Sequence, residues 1–267
     1  MKRIMALVLA MMMVFGASAL AEGTLRVGME CDYAPFNWTQ TTESETAVAL
    51  PDGTWADGYD VQIARLIADA LEMDLEVVKT DWEGLPMAVM SGKIDAIIAG
   101  MSATEERKVT LDFTDNYYES DLVIVVRADG AYTGATTLAD FAGAKLTGQL
   151  GTFHYDVLPQ VEGAQIQTAM ETFPAMITAL KAGAIDGYVS ERPGAVSAVA
   201  ANPELTFVEF AEGQGFTAST DDTAVAVALQ KGSPLVEKIN EILATITPEQ
   251  REALMQWAVD NQPLAAE

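Results

Sequence analysis

Short apolar runs alternate with segments of helical periodicity along most of the chain. One helical segment follows Asp60, which can cap it, and two others end at Gly92 and Gly183, since glycine commonly ends helices. Strands are predicted at the runs LRVGM, LEVVKT, IDAIIAG, DLVIVVR, AKLTGQLG, IDGYVS, ELTFVEF and TAVAVAL. The alternation predicts an α/β fold, in which helices cover sheets.

The polar stretch of residues 39–57 interrupts this alternation. It contains the turn signal Pro51-Asp52-Gly53, so it predicts either an insertion loop or a small hairpin. After the last predicted strand, Pro234 and Pro248 each predict the start of a helix, because proline is favoured in the first helical turn.

A weak internal repeat links two helix–strand units. Aligning Gly92 with Gly183 matches MAVMSGKIDAIIAG to ITALKAGAIDGYVSE and brings Gly100 over Glu191. Helix–glycine–strand units also resemble one another by composition alone, and that alternative is open. A genuine repeat would describe two lobes of similar construction.

Polar residues follow both repeated strands, and in parallel α/β sheets ligands gather at the carboxyl ends of strands. Ser102, Thr104 and Arg107 follow the first strand, and Glu191 follows the second. Arg107 can bind a carboxylate through two parallel hydrogen bonds, and Ser102 can add a hydroxyl. A cation after one strand and an anion after its counterpart suit a zwitterion, of which a free amino acid is the smallest common example.

A purely structural interpretation of the first group is also open. Ser102-x-x-Glu105 fits a capping box, which would leave Arg107 solvated on the first helical turns. The two interpretations are compatible, because the N-terminus of a helix also attracts anions.

Aromatic residues lie near the ends of two other strands. The loop YAPFNW carries Tyr33, Phe36 and Trp38, and Trp82 follows LEVVKT. Tyr33 or Trp82 could pack on the aliphatic stem of a ligand or stack on a cation. Core packing is the alternative for all four and the default for Phe36 and Trp38.

The first residues and the overall charge bear on location and partners. Lys2 and Arg3 precede an apolar run that ends in Ala19-Leu20-Ala21, so residues 1–21 are predicted to be a cleaved secretory signal, with an uncleaved membrane anchor as the alternative. A formal net charge of −24 disfavours nucleic acid and anionic lipid as partners.

The single cysteine and the single histidine limit which disulfides, lipid anchors and metal sites the chain can form. Cys31 allows no intramolecular disulfide, and no cysteine stands at the cleavage point to carry the lipid of a lipoprotein. With His154 as the one histidine, a zinc site with nitrogen or sulfur ligands is excluded, and a nucleophilic hydrolase lacks its Gly-x-Ser-x-Gly motif. No metal or cofactor is predicted.

Five motifs occur in order along the chain: LRVGMECDYAPFNW, GYDVQIARLIADAL, WEGLPMAVMSGKIDAIIAGMSATEERKVTLDFTDNYY, LTGQLGTFHYD and LKAGAIDGYVSE. They resemble the polar amino-acid solute-binding proteins of ABC importers, the bacterial extracellular solute-binding protein family 3. The resemblance implies a two-lobed α/β periplasmic-binding-protein fold of type II, with lobes joined by two crossing strands and an amino acid bound in the cleft. Lobe 1 would comprise residues 22–118 and 221–267, and lobe 2 residues 119–220, with hinge strands near 118–122 and 212–220.

The resemblance also implies roles for individual residues at the two poles of the ligand. Arg107 would hold the α-carboxylate, helped by Ser102 and the backbone near Thr152. Glu191, at a position that is usually aspartate, would bind the α-ammonium.

Other residues would contact the ligand side chain. Tyr33 and Trp82 would sandwich it, and Glu30 matches a position that is acidic in members that bind basic amino acids.

Three features depart from the family pattern. Ala99 and Gly100 stand where hydroxyl residues are common, which leaves backbone N–H groups as donors. Phe153 occupies a position that is frequently threonine. The insertion of residues 39–57 is longer than the usual link and could sit at the rim of the cleft.

Residues and resemblance together predict a monomeric, non-enzymatic periplasmic protein that captures a polar, basic amino acid. It would deliver this ligand to an ABC importer, with a membrane permease and a cytoplasmic ATPase as partners. One alternative is a cleft enzyme similar to cyclohexadienyl or arogenate dehydratases, in which Glu191 acts as a general acid if burial raises its pKa. Another is an amino-acid sensor module that needs a separate partner chain.

Overall fold

The computed structural model describes residues 23–263, and the predicted signal sequence, residues 1–21, lies outside the described residues. Contacts divide the chain into two units. Of the described residues, unit 1 contains residues 23–31, Pro35–Tyr118 and Ala224–Gln262, and unit 2 contains Asp32–Ala34, Glu119–Thr223 and Pro263. Residues 32–34, 221–223 and 263 were predicted in lobe 1 but fall in unit 2.

The described residues form fourteen strands and nine α-helices. The strands are β1 (Thr24–Met29), β2 (Asp32–Tyr33), β3 (Asn37–Gln40), β4 (Val48–Ala49), β5 (Trp55–Asp57), β6 (Asp74–Lys79), β7 (Ala96–Ile97), β8 (Leu111–Glu119), β9 (Leu122–Arg127), β10 (Lys145–Thr147), β11 (Gln165–Ile166), β12 (Gly187–Glu191), β13 (Leu205–Val208) and β14 (Ala224–Gln230). The α-helices span Tyr59–Ala70, Leu85–Met90, Glu105–Lys108, Phe153–Asp156, Phe173–Lys181, Arg192–Ala201, Thr220–Thr223, Leu235–Leu243 and Pro248–Asn261.

Unit 1 is built on a five-stranded sheet in the order β6-β1-β7-β14-β8. β1 pairs in parallel with β6 and β7, and β14 pairs antiparallel with β7. Ile97 and Ile98, in and after β7, are fully buried, as the apolar run IDAIIAG predicted. β7 therefore ends deep within unit 1.

Unit 2 repeats this topology with different strands. Its sheet has the order β11-β10-β12-β9-β13. Here β10 pairs in parallel with β11 and β12, and β9 pairs antiparallel with β12. β12 thus has the same place in unit 2 that β7 has in unit 1.

The predicted internal repeat extends to local geometry. Gly92 and Gly183 follow the helices Leu85–Met90 and Phe173–Lys181 in the left-handed region, at φ 73° and 72°. The Asp95 carboxylate accepts a hydrogen bond of 2.9 Å from the backbone N–H of Arg26. Asp186, its counterpart, accepts one of 2.9 Å from Lys145. Shared topology and shared backbone bonds therefore favour a genuine repeat over compositional coincidence.

The stretch of residues 39–57 forms a small antiparallel arrangement in which β5 pairs with both β3 and β4. The hairpin alternative is therefore correct. The end of this hairpin is held in place by Asp57, the last residue of β5. The buried Asp57 carboxylate accepts hydrogen bonds from Ser44, Thr46 and Gln62 at 3.0, 2.7 and 2.8 Å.

Three local predictions were wrong. Asp60 does not cap its helix: Gly58 takes the N-cap position at φ 126°, where a Cβ would come within 2.5 Å of the Phe36 carbonyl oxygen. Asp60 is instead buried and accepts hydrogen bonds from Asn37 and Tyr117. Residues 212–219 form turns and irregular chain and Thr220 begins a short helix, so no hinge strand is present at residues 212–220. Ser102 does not cap the helix Glu105–Lys108, whose N-cap is Thr104.

Candidate functional site

Unit 1 brings three predicted ligand-binding residues together beyond the end of β7. The guanidinium carbon of Arg107 lies 5.2 Å from the centroid of the Trp82 ring, within cation–π range. Arg107 Nη1 also donates a hydrogen bond of 2.9 Å to the backbone carbonyl of Ser102. These contacts orient the guanidinium, a group whose geometry suits a carboxylate.

The short helix that carries Arg107 is capped by Thr104 rather than by Ser102, the cap in the alternative capping-box interpretation. Thr104 is the N-cap of Glu105–Lys108, and its hydroxyl accepts the Arg107 backbone N–H at 3.4 Å. Ser102, predicted as the cap, forms an isolated antiparallel bridge with Val225 and is nearly buried. Ser102 therefore belongs to the end of the sheet rather than to the helix.

Gly100 and Glu30 complete the predicted residues of unit 1. Gly100 adopts φ 62°, and its N–H donates to the Tyr117 hydroxyl at 3.1 Å, so this predicted ligand donor already has an acceptor within the protein. Glu30 directly follows β1 and is buried, with 4% of its surface exposed. A carboxylate so buried needs compensating charge or hydrogen bonds.

Unit 2 contains a buried polar cluster around Glu191, the last residue of β12. The Tyr33 hydroxyl donates to Glu191 Oε2, and His154 Nε2 lies 2.8 Å from the same oxygen. The side chains of His154 and Glu191 are 9% and 3% exposed. We call these three residues, Tyr33, His154 and Glu191, the Glu191 cluster.

Aromatic rings enclose the Glu191 cluster. Tyr33 stacks on Phe173 with ring centroids 4.1 Å apart, and Phe173 meets the imidazole of His154 edge-on at 5.8 Å. Tyr188 contacts Phe173 in the same edge-on manner at 6.1 Å. The carboxylate therefore lies in surroundings of low polarity, where its interactions with charge are strong.

The pKa of Glu191 follows from these neighbours. Burial alone would raise the pKa of this carboxyl. The charge of His154 and the hydrogen bonds from His154 and Tyr33 outweigh burial, so the pKa of Glu191 lies below its ordinary value. Glu191 is thus an anion at neutral pH.

Thr152 and Phe153, the other predicted residues of unit 2, precede and begin the helix Phe153–Asp156. The Thr152 hydroxyl donates to the Gln149 carbonyl at 2.7 Å, and Thr152 is buried. Phe153 packs against the hydrophobic core of unit 2. The ring that replaces the usual threonine therefore has a structural partner of its own.

Sequence reasoning did not assign His154 or Phe173 to the site. The sequence analysis used His154 only as the single histidine of the chain, and Phe173 lies in the helical segment that was predicted to end at Gly183. The signal that could have pointed to His154 is its position two residues after Thr152.

A family model matches residues 25–258, and its description is bacterial extracellular solute-binding proteins, family 3. The chain belongs to this family. The family, the two-lobed α/β fold and the function class of amino-acid solute-binding proteins, all predicted from the sequence, are confirmed.

Relatives of this solute-binding protein carry more specific names. A probable histidine-binding protein of Campylobacter jejuni is 33% identical over 201 residues, which cover 74% of this chain and 72% of that protein. The arginine-binding extracellular protein ArtP of Bacillus subtilis is 27% identical over 225 residues, covering 82% and 79%.

Solved structures give the same result for the fold. An amino acid ABC transporter substrate-binding protein from Streptococcus pneumoniae, bound to L-arginine, superposes with a TM-score of 0.77 at 29% identity and covers 90% of this chain and 95% of that chain.

Within residues 23–263 of the solute-binding protein, no helix has the length and apolar character needed to cross a membrane.

Proposed function

We propose that this solute-binding protein captures an amino acid with a cationic side chain in the periplasm, after cleavage of residues 1–21. It then delivers this ligand to the membrane permease of an ABC importer that is driven by a cytoplasmic ATPase. The observation that carries the proposal is the pair of equivalent strands β7 and β12: Arg107 follows the first and Glu191 ends the second.

Each group suits one pole of an amino acid. Arg107, positioned by Trp82 and Ser102, takes the α-carboxylate, because guanidinium and carboxylate match in two parallel hydrogen bonds. Glu191, an acceptor in its anionic form, takes the α-ammonium through lone pairs not used by Tyr33 and His154. Charge-assisted bonds of this kind contribute about 1.5–3 kcal/mol each, so a few of them suffice for micromolar affinity.

The preference for a cationic side chain rests on a second buried carboxylate. Glu30 lies after β1, the strand next to β7, and its buried carboxylate is the proposed partner of the second cationic group of the ligand. The Bacillus subtilis relative is named for arginine, and the Streptococcus pneumoniae structure contains L-arginine. Both agree with a ligand of two positive charges and one negative charge.

The enzymatic alternative depends on a different property of Glu191. A general acid at this position needs a pKa raised toward neutrality. His154 and Tyr33 outweigh burial and keep the pKa of Glu191 below its ordinary value. The cluster therefore favours binding of a cation over donation of a proton.

A thermal-shift panel tests the proposal. The purified protein, freed of co-purified ligand by unfolding and refolding, is heated with each standard amino acid and with ornithine. A ligand that binds only the native state raises the Tm. We expect the largest increase with arginine, lysine or ornithine, and its loss in Arg107→Ala. The proposal would be overturned if the largest increase in Tm came from an acidic or neutral amino acid, or if no amino acid raised the Tm.

A further inference from the structure

His154 has one ring nitrogen that the protein uses and one that it does not. Nε2 bonds to Glu191, whereas Nδ1 is buried without a hydrogen-bond partner among the residues that the structure describes. Leaving a buried polar atom unsatisfied is unfavourable, because the atom loses its hydrogen bonds to water and gains none in the protein. Native proteins retain such atoms mainly where water or a ligand supplies the partner.

The bond to Glu191 determines which nitrogen carries a proton. An ionised carboxylate only accepts hydrogen bonds, so Nε2 of His154 must be the N–H. A neutral imidazole then presents a lone pair at Nδ1, which is an acceptor for an N–H donor. A protonated imidazole would present a second N–H there.

Charge balance decides between these two forms in the ligand complex. A protonated His154 would cancel the charge of Glu191 and leave a neutral pair facing the ligand ammonium. A neutral His154 preserves one negative charge in the Glu191 cluster. It also turns Nδ1 into an acceptor, which is what an ammonium requires.

We propose that His154 is a ligand-binding residue: its neutral imidazole accepts one N–H of the ligand ammonium at Nδ1, while its Nε2–H remains on Glu191. The inference rests on the proposed function and adds a residue to the same site. Glu191 then acts in two ways, as a direct acceptor and as the group that holds the His154 tautomer.

Nitrogen NMR tests the tautomer directly, because the chain has a single histidine. Protein without a histidine tag, labelled with 15N-histidine, gives one pair of imidazole resonances. On saturation with L-arginine we expect Nε2 to be protonated, Nδ1 to be unprotonated, and the Nδ1 resonance to shift. A protonated Nδ1 in the complex, or an Nδ1 resonance that does not shift when L-arginine binds, would overturn the inference.

Two substitutions provide an independent readout. His154→Gln keeps an N–H donor and an acceptor, so its affinity for L-arginine should stay within a few-fold of the wild-type affinity. His154→Phe keeps a ring but no nitrogen, and affinity should fall roughly tenfold or more, the effect of losing one hydrogen bond to a charged group. Tyr155→Phe, which removes a hydroxyl on the same helix that bonds the Gln167 carbonyl, is the matched control and should bind as wild type.

The outcomes separate the two proposals. A wild-type protein that binds no amino acid refutes the proposed function. A wild type that binds L-arginine, with His154→Phe equal to it in affinity, refutes only the role of His154. If His154→Phe does not fold, the NMR experiment on the wild type still decides.

Discussion

The guanidinium of Arg107 lies over the ring of Trp82, 5.2 Å from its centroid, and one of its nitrogens donates to the Ser102 carbonyl. These two contacts fix the orientation of the Arg107 guanidinium. Because Arg107 is half-buried and belongs to a four-residue helix at the end of β7, its removal should affect binding more than folding.

Arg107→Ala should lower the affinity for L-arginine roughly tenfold or more, since it removes the proposed bidentate contact with the α-carboxylate. Arg107→Lys is the matched variant: it keeps the charge but cannot form two parallel hydrogen bonds, so its loss should be intermediate. Calorimetric titration measures both, and circular dichroism checks that both are folded. Unchanged affinity in Arg107→Ala would remove the carboxylate role.

Glu30→Gln should weaken binding of arginine or lysine much more than binding of glutamine. The substitution keeps the shape of this buried side chain but removes its charge. Affinities for the three ligands, measured in parallel on wild type and variant, give the comparison. Equal losses for cationic and neutral ligands would argue against Glu30 as the partner of the ligand side chain.

Glu191 should make stability depend on pH in the acid range. Its pKa in the folded protein lies below the ordinary value of 4.5, so its ionised form stabilises the fold above that pH, and this contribution is lost as pH falls through the folded pKa. The free energy of unfolding of wild type relative to Glu191→Gln should therefore decrease from about pH 6 to about pH 3, measured by urea denaturation. A difference that stays constant or grows on acidification would contradict the lowered pKa.

Asp57→Ala should destabilise unit 1 by roughly 1–3 kcal/mol, because it leaves buried donors without their acceptor. The carboxylate holds Ser44, Thr46 and Gln62, although burial raises its pKa. Asp52→Ala is the control: Asp52 is exposed and bonds only Thr54 in its own turn, so the effect should be smaller. Equal effects in urea denaturation would show that the hairpin is not fixed through Asp57.

Regular elements with strong local patterns were predictable from the sequence. Apolar runs predicted the strands of the repeat, and Gly92 and Gly183 predicted the ends of the helices before them. Pro234 and Pro248 predicted the starts of the last two helices. β8 was missed because its sequence LDFTDNYYE is rich in polar residues, as an edge strand of the sheet allows. The helix Arg192–Ala201 was missed because Pro193 and Gly194 in its first turn are typical of loops.

The site could be predicted only in part, because its contacts join residues that are distant in sequence. Arg107 and Glu191 stand out as polar residues after apolar strands, a local signal. No local sequence pattern predicts that Tyr33, His154 and Phe173 pack around Glu191, because only the tertiary fold brings these residues together.

Calorimetric titration of the wild-type protein with L-arginine and two truncated analogues tests the central claim most directly. Agmatine lacks the α-carboxylate, and 5-guanidinopentanoic acid lacks the α-amino group. The account predicts binding of one L-arginine per chain and a loss of roughly tenfold or more for each analogue, one for the missing partner of Arg107 and one for that of Glu191. Binding of either analogue as tightly as L-arginine, or no binding of L-arginine, would contradict it.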